Sequence, residues 1–152
     1  MKSFKQHIFE KLKVSSNKDF VEHTLFPSTK NELLKMIEDE RSKNGDGCSL
    51  NHIDVSKITD MQGLFLCSNF NGDISKWDVS NVKSMKRMFK ISDFNGDISN
   101  WDVSSVENAE EMFMYSKFNG DISNWNVSRI KNMEQMFSHS PLENNPPAWY
   151  KA

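Results

Sequence analysis

A 24-residue sequence occurs three times in register along this chain, at 70–93, 94–117 and 118–141. Each copy begins Phe-Asn-Gly-Asp-Ile-Ser, has a tryptophan seven positions after the first phenylalanine, and carries a Met-Phe pair near its end. The first two copies are identical at 14 of 24 positions. A fixed period of roughly 20 to 50 residues is typical of stacked repeat proteins. We therefore expect a stack of similar units, each burying its apolar face against its neighbours.

The repeat extends further towards the N-terminus in a weaker form. Residues 46–69 keep the apolar positions of the later copies, among them Leu50, Ile53 and Val55, but Ile53 stands in the tryptophan position. Terminal repeats are commonly atypical, because one of their sides is not covered by another repeat. The sequence thus predicts four units over 46–141.

Both ends of the predicted stack need a cap. At the first end, Ser28 or Thr29 can cap a helix that begins near Lys30, and Asn44-Gly45 can end it, so 28–45 is predicted to be a capping helix. At the other end, 142–152 contain two prolines that stop the periodic structure. Leu142, Trp149 and Tyr150 are expected to fold back over the last open face, which makes this segment an irregular C-terminal cap.

The apolar spacing within one unit predicts a strand followed by a helix. From Ile74 the apolar residues follow at steps of three, two and three, the pattern of a leucine-rich repeat, and the step of two from Trp77 to Val79 indicates a short strand. From Val82 the spacing becomes helical, which predicts a helix over 81–90 with Ser80 as its N-cap. Asn71-Gly72 is a turn signal.

The predicted fold class follows from that unit. We expect an α/β repeat solenoid, a leucine-rich-repeat-like stack of about four strand-helix units with a parallel sheet on one side and a row of helices on the other. The second unit carries basic residues on its predicted helix and the third carries acidic ones. These charges are expected to pair across the stack and to fix which unit follows which.

The units F-N-G-D-I-S-x-W-D-V-S-x-V-x-x-M-x-x-M-F resemble the BspA-type leucine-rich-repeat-like family, a DUF285-like surface-protein repeat of mycoplasmas and gut bacteria. The similarity covers 46–152, including the Asn-Pro-Pro-Ala-Trp-Tyr ending. The resemblance implies a leucine-rich-repeat-like solenoid that binds proteins or host surfaces. Many members of the family are secreted or lipid-anchored, so a surface adhesin is one functional alternative.

Residues 1–27 precede the capping helix. Phe4, Ile8, Phe9 and Leu12 have helical spacing and predict a short amphipathic helix. This helix either packs on the domain or serves as a docking or targeting peptide. It resembles the short capsid-targeting peptides of internal head proteins in large tailed bacteriophages, which gives a second alternative, a packaged or structural protein addressed by its N-terminal peptide.

Residues between the core positions of each predicted strand should point away from the core and form a binding face. We predict that a partner binds to eight of them, His52, Asp54, Lys76, Asp78, Asn100, Asp102, Asn124 and Asn126. Within this set Asp54, Asp78 and Asp102 form a column of like charges, which repel unless something offsets them. Three things could offset the repulsion: backbone N–H groups at the N-terminus of the following helix, a bridging cation, or the partner itself. The same alternatives apply to a second column, Asp73, Asp97 and Asp121.

Composition and motifs narrow the function classes. The net charge of −2 argues against a nucleic-acid partner, and no apolar run is long enough for a secretory signal or a membrane span. The four histidines and two cysteines show no metal-binding or catalytic spacing. We therefore predict a cytoplasmic, non-catalytic module without cofactor or metal, a monomer or weak dimer that binds another protein through the exposed strand face.

Overall fold

Four successive coils of the chain lie on top of one another in a computed structural model, which describes residues 21–151. Coil 1 is 46–69, coil 2 is 70–93, coil 3 is 94–117 and coil 4 is 118–141. One α-helix, α1 (Lys30–Asn44), precedes the coils, and a 3-10 turn at Pro141–Glu143 follows them. Aromatic side chains at the same position of successive coils lie in face-to-face columns, for example Phe70 on Phe94 with ring centroids 6.2 Å apart.

The predicted capping helix is present, and local sequence explains its ends. Thr29 and Glu32 form a capping box, in which the Thr29 hydroxyl accepts the Glu32 N–H and the Glu32 carboxylate accepts the Thr29 N–H. The helix ends at Asn44, and Gly45 follows with a φ of 82° and a ψ of 172°, the latter outside the left-handed helical region that is typical of a C-cap glycine. Leu33 and Ile37 are buried against the coils, so α1 covers the apolar end of the stack.

The predicted α/β solenoid of leucine-rich-repeat-like strand-helix units is wrong. Among residues 21–151 there is no helix inside any coil and no extended strand; the parallel pairing consists of isolated bridges. Three of these bridges join the coils in register, Asp60 with Ser84, Ser84 with Asn108, and Asn108 with Asn132. The coils are built from consecutive turns instead, so the described stack has neither a continuous sheet nor a row of helices.

Tight turns, and not a helix, produce the apolar spacing of three. The Val82 N–H donates to the Val79 carbonyl and the Met88 N–H to the Met85 carbonyl, so the residues at both ends of each turn point inward. A helix over 81–90 cannot form because Arg87 has a φ of 55°. Ser80 accordingly caps no helix; its N–H donates to Asp78.

A backbone ladder that runs in one direction joins the Met-Phe halves of the coils. The N–H groups of Met85, Arg87 and Phe89 donate to carbonyls of coil 3, each at 2.9 Å. The carbonyls of Met85 and Arg87 are used for turns within coil 2 instead. A parallel sheet needs bonds in both directions between each pair of strands. Bonds in the opposite direction lie at the edge of this ladder, as from the Lys83 N–H to the Thr59 carbonyl at 2.8 Å, so the pairing is limited to bridges.

Tryptophan replaces the backbone ladder on the opposite side of the coils, where we predicted strands. The indole N–H of each tryptophan donates to a main-chain carbonyl of the preceding coil, as from Trp77 to Leu50 at 2.9 Å and from Trp101 to Ile74 at 3.1 Å. These carbonyls would be ladder acceptors in a sheet. Each of these carbonyls also accepts a turn N–H of its own coil, as Ile74 accepts that of Trp77 at 3.2 Å, and the step from Trp77 to Val79 does not form the predicted strand.

The Phe-Asn-Gly sequence connects coils and does not form the predicted turn. The Asn71 side chain accepts the N–H of Asn95 at 2.8 Å, and Asn95 accepts that of Asn119 in the same way. A Cβ atom at Gly96 would lie 2.8 Å from the Phe94 ring. The glycine is therefore needed for close packing of the phenylalanine in its own coil.

The C-terminal tail begins a fifth coil. Leu142 is buried at the position that Phe118 holds in coil 4, and Trp149 stacks on Trp125 with ring centroids 6.4 Å apart. The Trp149 indole N–H donates to the Ile122 carbonyl at 2.9 Å, which repeats the bond of the earlier tryptophans. Tyr150 meets a Phe137 ring edge-on at 4.9 Å. The tail thus covers the aromatic end of coil 4.

We predict that Ile91→Asn stabilises the protein. Ile91 has a φ of 54° and is half-exposed, and the left-handed region costs a β-branched residue about 1–2 kcal/mol, whereas asparagine tolerates it. We expect the free energy of unfolding, measured by urea denaturation at low protein concentration, to rise by about 1 kcal/mol. Ile91→Val keeps the β-branched side chain and should not raise it; an equal gain in both variants would contradict this explanation.

We predict that Trp101→Phe destabilises the protein more than Trp149→Phe. The first change removes one of the two N–H groups that donate to the buried Ile74 carbonyl, the other being that of Trp77, and the loss of a hydrogen bond costs about 0.5–1.5 kcal/mol. Trp149 is only partly buried, so water can replace its bond. Urea denaturation of both variants gives the comparison, and equal losses would show that indole hydrogen bonding is not what distinguishes the two sites.

Candidate functional site

The eight residues predicted to bind a partner lie in two parallel columns on the tryptophan side of the stack. We call this surface the Asp/Asn face. Each column has one residue per coil, and the two columns are His52, Lys76, Asn100, Asn124 and Asp54, Asp78, Asp102, Asn126. In coils 2 to 4 all six are exposed, whereas His52 and Asp54 are half-buried at the α1 end. The structure therefore brings these residues together on one surface.

The acidic column of this face has a role in the turns. Asp54, Asp78 and Asp102 each accept the N–H of the serine two positions later, at 3.0, 3.1 and 3.0 Å. Asn126 makes the same contact with Ser128 at 3.2 Å. Hydrogen bonds from the Ser104 hydroxyl and N–H lower the pKa of Asp102 below its ordinary value. Backbone N–H groups thus offset the like charges, as one of our alternatives held, but at turns and not at helix N-termini.

A second acidic column behaves in the same way. Asp73, Asp97 and Asp121 accept the N–H of Ser75, Ser99 and Ser123 at 2.9, 3.0 and 2.9 Å. Within residues 21–151, no three or more His, Cys, Asp or Glu side chains come together in a way that could hold a metal ion. The aspartates of both columns are accounted for by turns.

The other column of the Asp/Asn face varies from coil to coil, unlike the acidic column with its repeated turns. It reads histidine, lysine, asparagine and asparagine. Nε2 of His52 lies 3.4 Å from the Glu40 carboxylate of α1, which ties the first position to the cap. The backbone N–H of Lys76 donates to Asn51 at 2.9 Å. The side chains of Asn100 and Asn124 are exposed and can donate and accept hydrogen bonds.

Ion pairs between coils occupy a different part of the surface, as the charge pattern predicts. Lys86 of coil 2 lies 2.8 Å from Glu110 of coil 3, and Glu111 lies 2.7 Å from Arg87 and 2.6 Å from Lys90. Hydrogen bonds from Arg87 and Lys90 lower the pKa of Glu111 from 4.5 to about 2. Coil 3 is therefore held to coil 2 by charge as well as by its core.

Sequence reasoning missed one exposed column, formed by Cys67, Ile91, Tyr115 and His139. We call it the ridge. All four residues have a positive φ between 53° and 58° and are exposed. None of them is a glycine or an asparagine, so nothing in the sequence indicated left-handed backbone. The only available signal was an apolar or aromatic residue at the same position of successive repeats.

An open depression of about 290 Å³ lies beside α1 and is lined by Glu38, Arg41, Ser42 and Asp46. Its lining is polar, and Arg41 is paired with Asp46 at 2.6 Å. The depression therefore belongs to the charged surface of the cap. No helix in the described part of the chain has the length and apolar character needed to cross a membrane.

A protein-family model with the description "Mycoplasma protein of unknown function, DUF285" matches residues 31–149. The match begins in α1, spans all four coils and ends at Trp149, the last tryptophan of the stack. No curated protein and no solved structure matches the chain. Family membership therefore brings no activity with it, and the function has to be argued from the surface.

We predict that Glu111→Gln destabilises the protein near neutral pH but not in strong acid. Because the pKa of Glu111 is lower in the folded chain than its ordinary 4.5, the ion pairs stabilise above that pH. Their contribution is lost as the pH falls towards about 2. Glutamine already stands at the equivalent position 135 of coil 4. Urea denaturation between pH 7 and pH 2 should show the wild-type and variant curves converging.

The control for this prediction is Glu134→Gln, a change at an exposed glutamate of coil 4. Its effect should be small, because an exposed charge contributes little to stability. If both variants lose the same stability at every pH, the low pKa of Glu111 does not contribute to folding.

Proposed function

The chain belongs to the DUF285 family, and we propose that it is a non-catalytic module that binds another protein through the Asp/Asn face. The observation that carries the proposal is the variable column His52, Lys76, Asn100 and Asn124. Core and turn positions recur in every coil for structural reasons, but this column changes its chemistry along the stack and is exposed in coils 2 to 4. Variation on a regular scaffold is how repeat proteins present a specific binding surface.

A protein is the partner class that suits this chemistry best. The face combines amide donors and acceptors, one lysine and a column of carboxylates, which can pair with backbone and polar side chains of a partner. The carboxylates would repel the phosphates of a nucleic acid. Asp54, Asp78 and Asp102 use one oxygen for the turn, and each carboxylate has a second oxygen that can accept from a partner.

The resemblance to BspA-type repeats favours a more specific form of this proposal. In that form the partner is a protein on a host surface, and the chain acts as an adhesin. A cytoplasmic location, as predicted from the sequence, would exclude the adhesin form. That location stays a prediction. The alternative of a packaged protein rests on the N-terminal peptide, and residues 1–20 lie outside the described residues.

We predict that Asn100→Arg/Asn124→Arg reduces partner capture roughly tenfold or more, because two bulky cations would displace the amide contacts at the centre of the face. Purified wild-type and variant chains would be immobilised on resin and exposed to extract of the source organism and to host-cell membrane protein. Captured proteins would be quantified by mass spectrometry. Proteins lost only from the variant resin are the specific partners.

The matched control is Asn69→Arg/Asn144→Arg, which adds the same charge at two exposed asparagines away from the face. A further variant, Asp78→Asn/Asp102→Asn, removes charge while keeping the turn acceptor, as Asn126 already does. If the face variant and the control capture the same proteins in the same amounts, the Asp/Asn face is not the binding surface.

A further inference from the structure

The ridge is the main exposed apolar feature of the coils. Ile91 is 50% and Tyr115 52% exposed, and Leu66, which precedes Cys67, is 44% exposed. Tyr115 and His139 stack face to face with ring centroids 4.4 Å apart. The ridge therefore places one exposed residue on each of coils 1 to 4, with its apolar and aromatic side chains at the centre, in coils 2 and 3. Contiguous exposed apolar strips rimmed by charge mark interaction surfaces.

The left-handed backbone at the ridge indicates that its side chains have a role beyond the fold. Each coil has two left-handed positions, and the other column holds Gly63, Arg87, Glu111 and Gln135. Those residues are glycine or polar, and they serve turns or ion pairs. The ridge places isoleucine and tyrosine where glycine or asparagine would cost less. Such strain is retained where the side chain makes a contact that offsets it.

The charges beside the ridge change sign halfway along it. Lys86, Arg87 and Lys90 of coil 2 are paired within the chain with Glu110 and Glu111 of coil 3, so these ion pairs are basic at the coil 2 end and acidic at the coil 3 end. A two-fold axis that passes between these coils would bring the basic coil of one molecule opposite the acidic coil of another. A parallel pairing would instead place like charges opposite each other. The surface is therefore complementary to an antiparallel copy of itself, as an isologous interface requires.

We propose that two copies of the chain pair through their ridges in antiparallel orientation. Ile91 of each copy then contacts Tyr115 of the other, and Cys67 lies opposite His139. About half of each coil separates the ridge from the Asp/Asn face, as from Asp78 to Ile91 in coil 2, so that face stays open in both copies. The strip is narrow against the roughly 800 Å² per partner of a stable interface, so we expect a weak, reversible dimer.

The orientation can be tested with His139→Cys in a Cys48→Ser background. In the antiparallel pair, Cys67 of one copy meets the thiol introduced at position 139 of the other, and two disulfides should join the copies under mild oxidation. Within one chain the two positions are three coils apart, about 14 Å, which is too far for a disulfide. Non-reducing electrophoresis and mixing of isotopically light and heavy chains would identify the intermolecular link by mass.

Two matched chains serve as controls. Asn124→Cys places a thiol on coil 4, as His139→Cys does, but on the Asp/Asn face. The Cys48→Ser chain with Cys67 as its remaining thiol tests the parallel pairing. We expect His139→Cys to form covalent dimer at least about tenfold faster than either. Equal rates, or links between Cys67 and Cys67, would overturn the proposal. If His139→Cys links only after residues 1–20 are removed, that segment and not a second copy occupies the ridge, and the proposal fails.

Measuring the non-covalent association distinguishes loss of the dimer interface from loss of the fold. Sedimentation equilibrium up to millimolar concentration should show wild-type dimer, and Ile91→Asn should weaken the association by about tenfold or more. The same variant is expected to be more stable as a monomer, so misfolding cannot account for the loss. Ile91→Val should retain the dimer. Wild-type chain that stays monomeric throughout this range would also overturn the proposal.

Discussion

The fold depends on the orientation of the peptide groups in the Met-Phe half of each coil. Every second peptide there lies along the stack, with its N–H towards the next coil and its carbonyl towards the previous one, as from Phe65 to Met88 at 2.9 Å. The peptides between them close turns within the coil, which requires left-handed residues such as Arg87 and Ile91. This division lets each coil close tightly around its aromatic side chains without forming a sheet.

A ladder that runs in one direction makes the two ends of this half of the stack chemically different. One end presents carbonyls and the other presents N–H groups, so each end needs its own cap. At the first end, α1 buries Leu33 and Ile37 against coil 1 and pairs Lys30 with Asp60 at 3.7 Å. At the other, Trp149 and Tyr150 cover Phe137. A two-fold pairing of like ladder ends of two copies is disfavoured, because donors would face donors at one end and acceptors would face acceptors at the other.

The sequence was sufficient to predict the repeat, the buried columns, α1 and the charge pairing, because each depends on local composition or on the period of the repeat. It was not sufficient to predict the path of the chain. Val79 and Val82 are three positions apart, a spacing that a helix and a succession of turns produce equally well. Glycine would have revealed the left-handed positions, but Arg87 and Ile91 hold them.

The exposure of the Asp/Asn face residues could be predicted even though the backbone conformation there could not. These residues alternate with buried neighbours, as Lys76 and Asp78 do around Trp77, and that alternation places them outside the core whichever backbone is present. The half-burial of His52 and Asp54 could not be anticipated, because it depends on how α1 and the segment before it pack on coil 1: His52 lies beside Glu40, and the Asp54 N–H donates to the Leu25 carbonyl. That a partner binds to this face stays a prediction.

Chain connectivity fixes the order of the coils, and the ion pairs disfavour a shifted pairing of coils that the aromatic columns would tolerate. Phe70, Phe94 and Phe118 are interchangeable, so a shift by one coil would preserve the aromatic stacking. Such a shift would leave Glu111 without Arg87 and Lys90, and its low pKa reflects how strongly it depends on them. Exposed ion pairs are individually weak, but these act together and in one register alone. The repeated core thus stabilises the stack, the ion pairs disfavour a shifted register, and the variable column and the ridge are left as the surfaces on which binding can evolve.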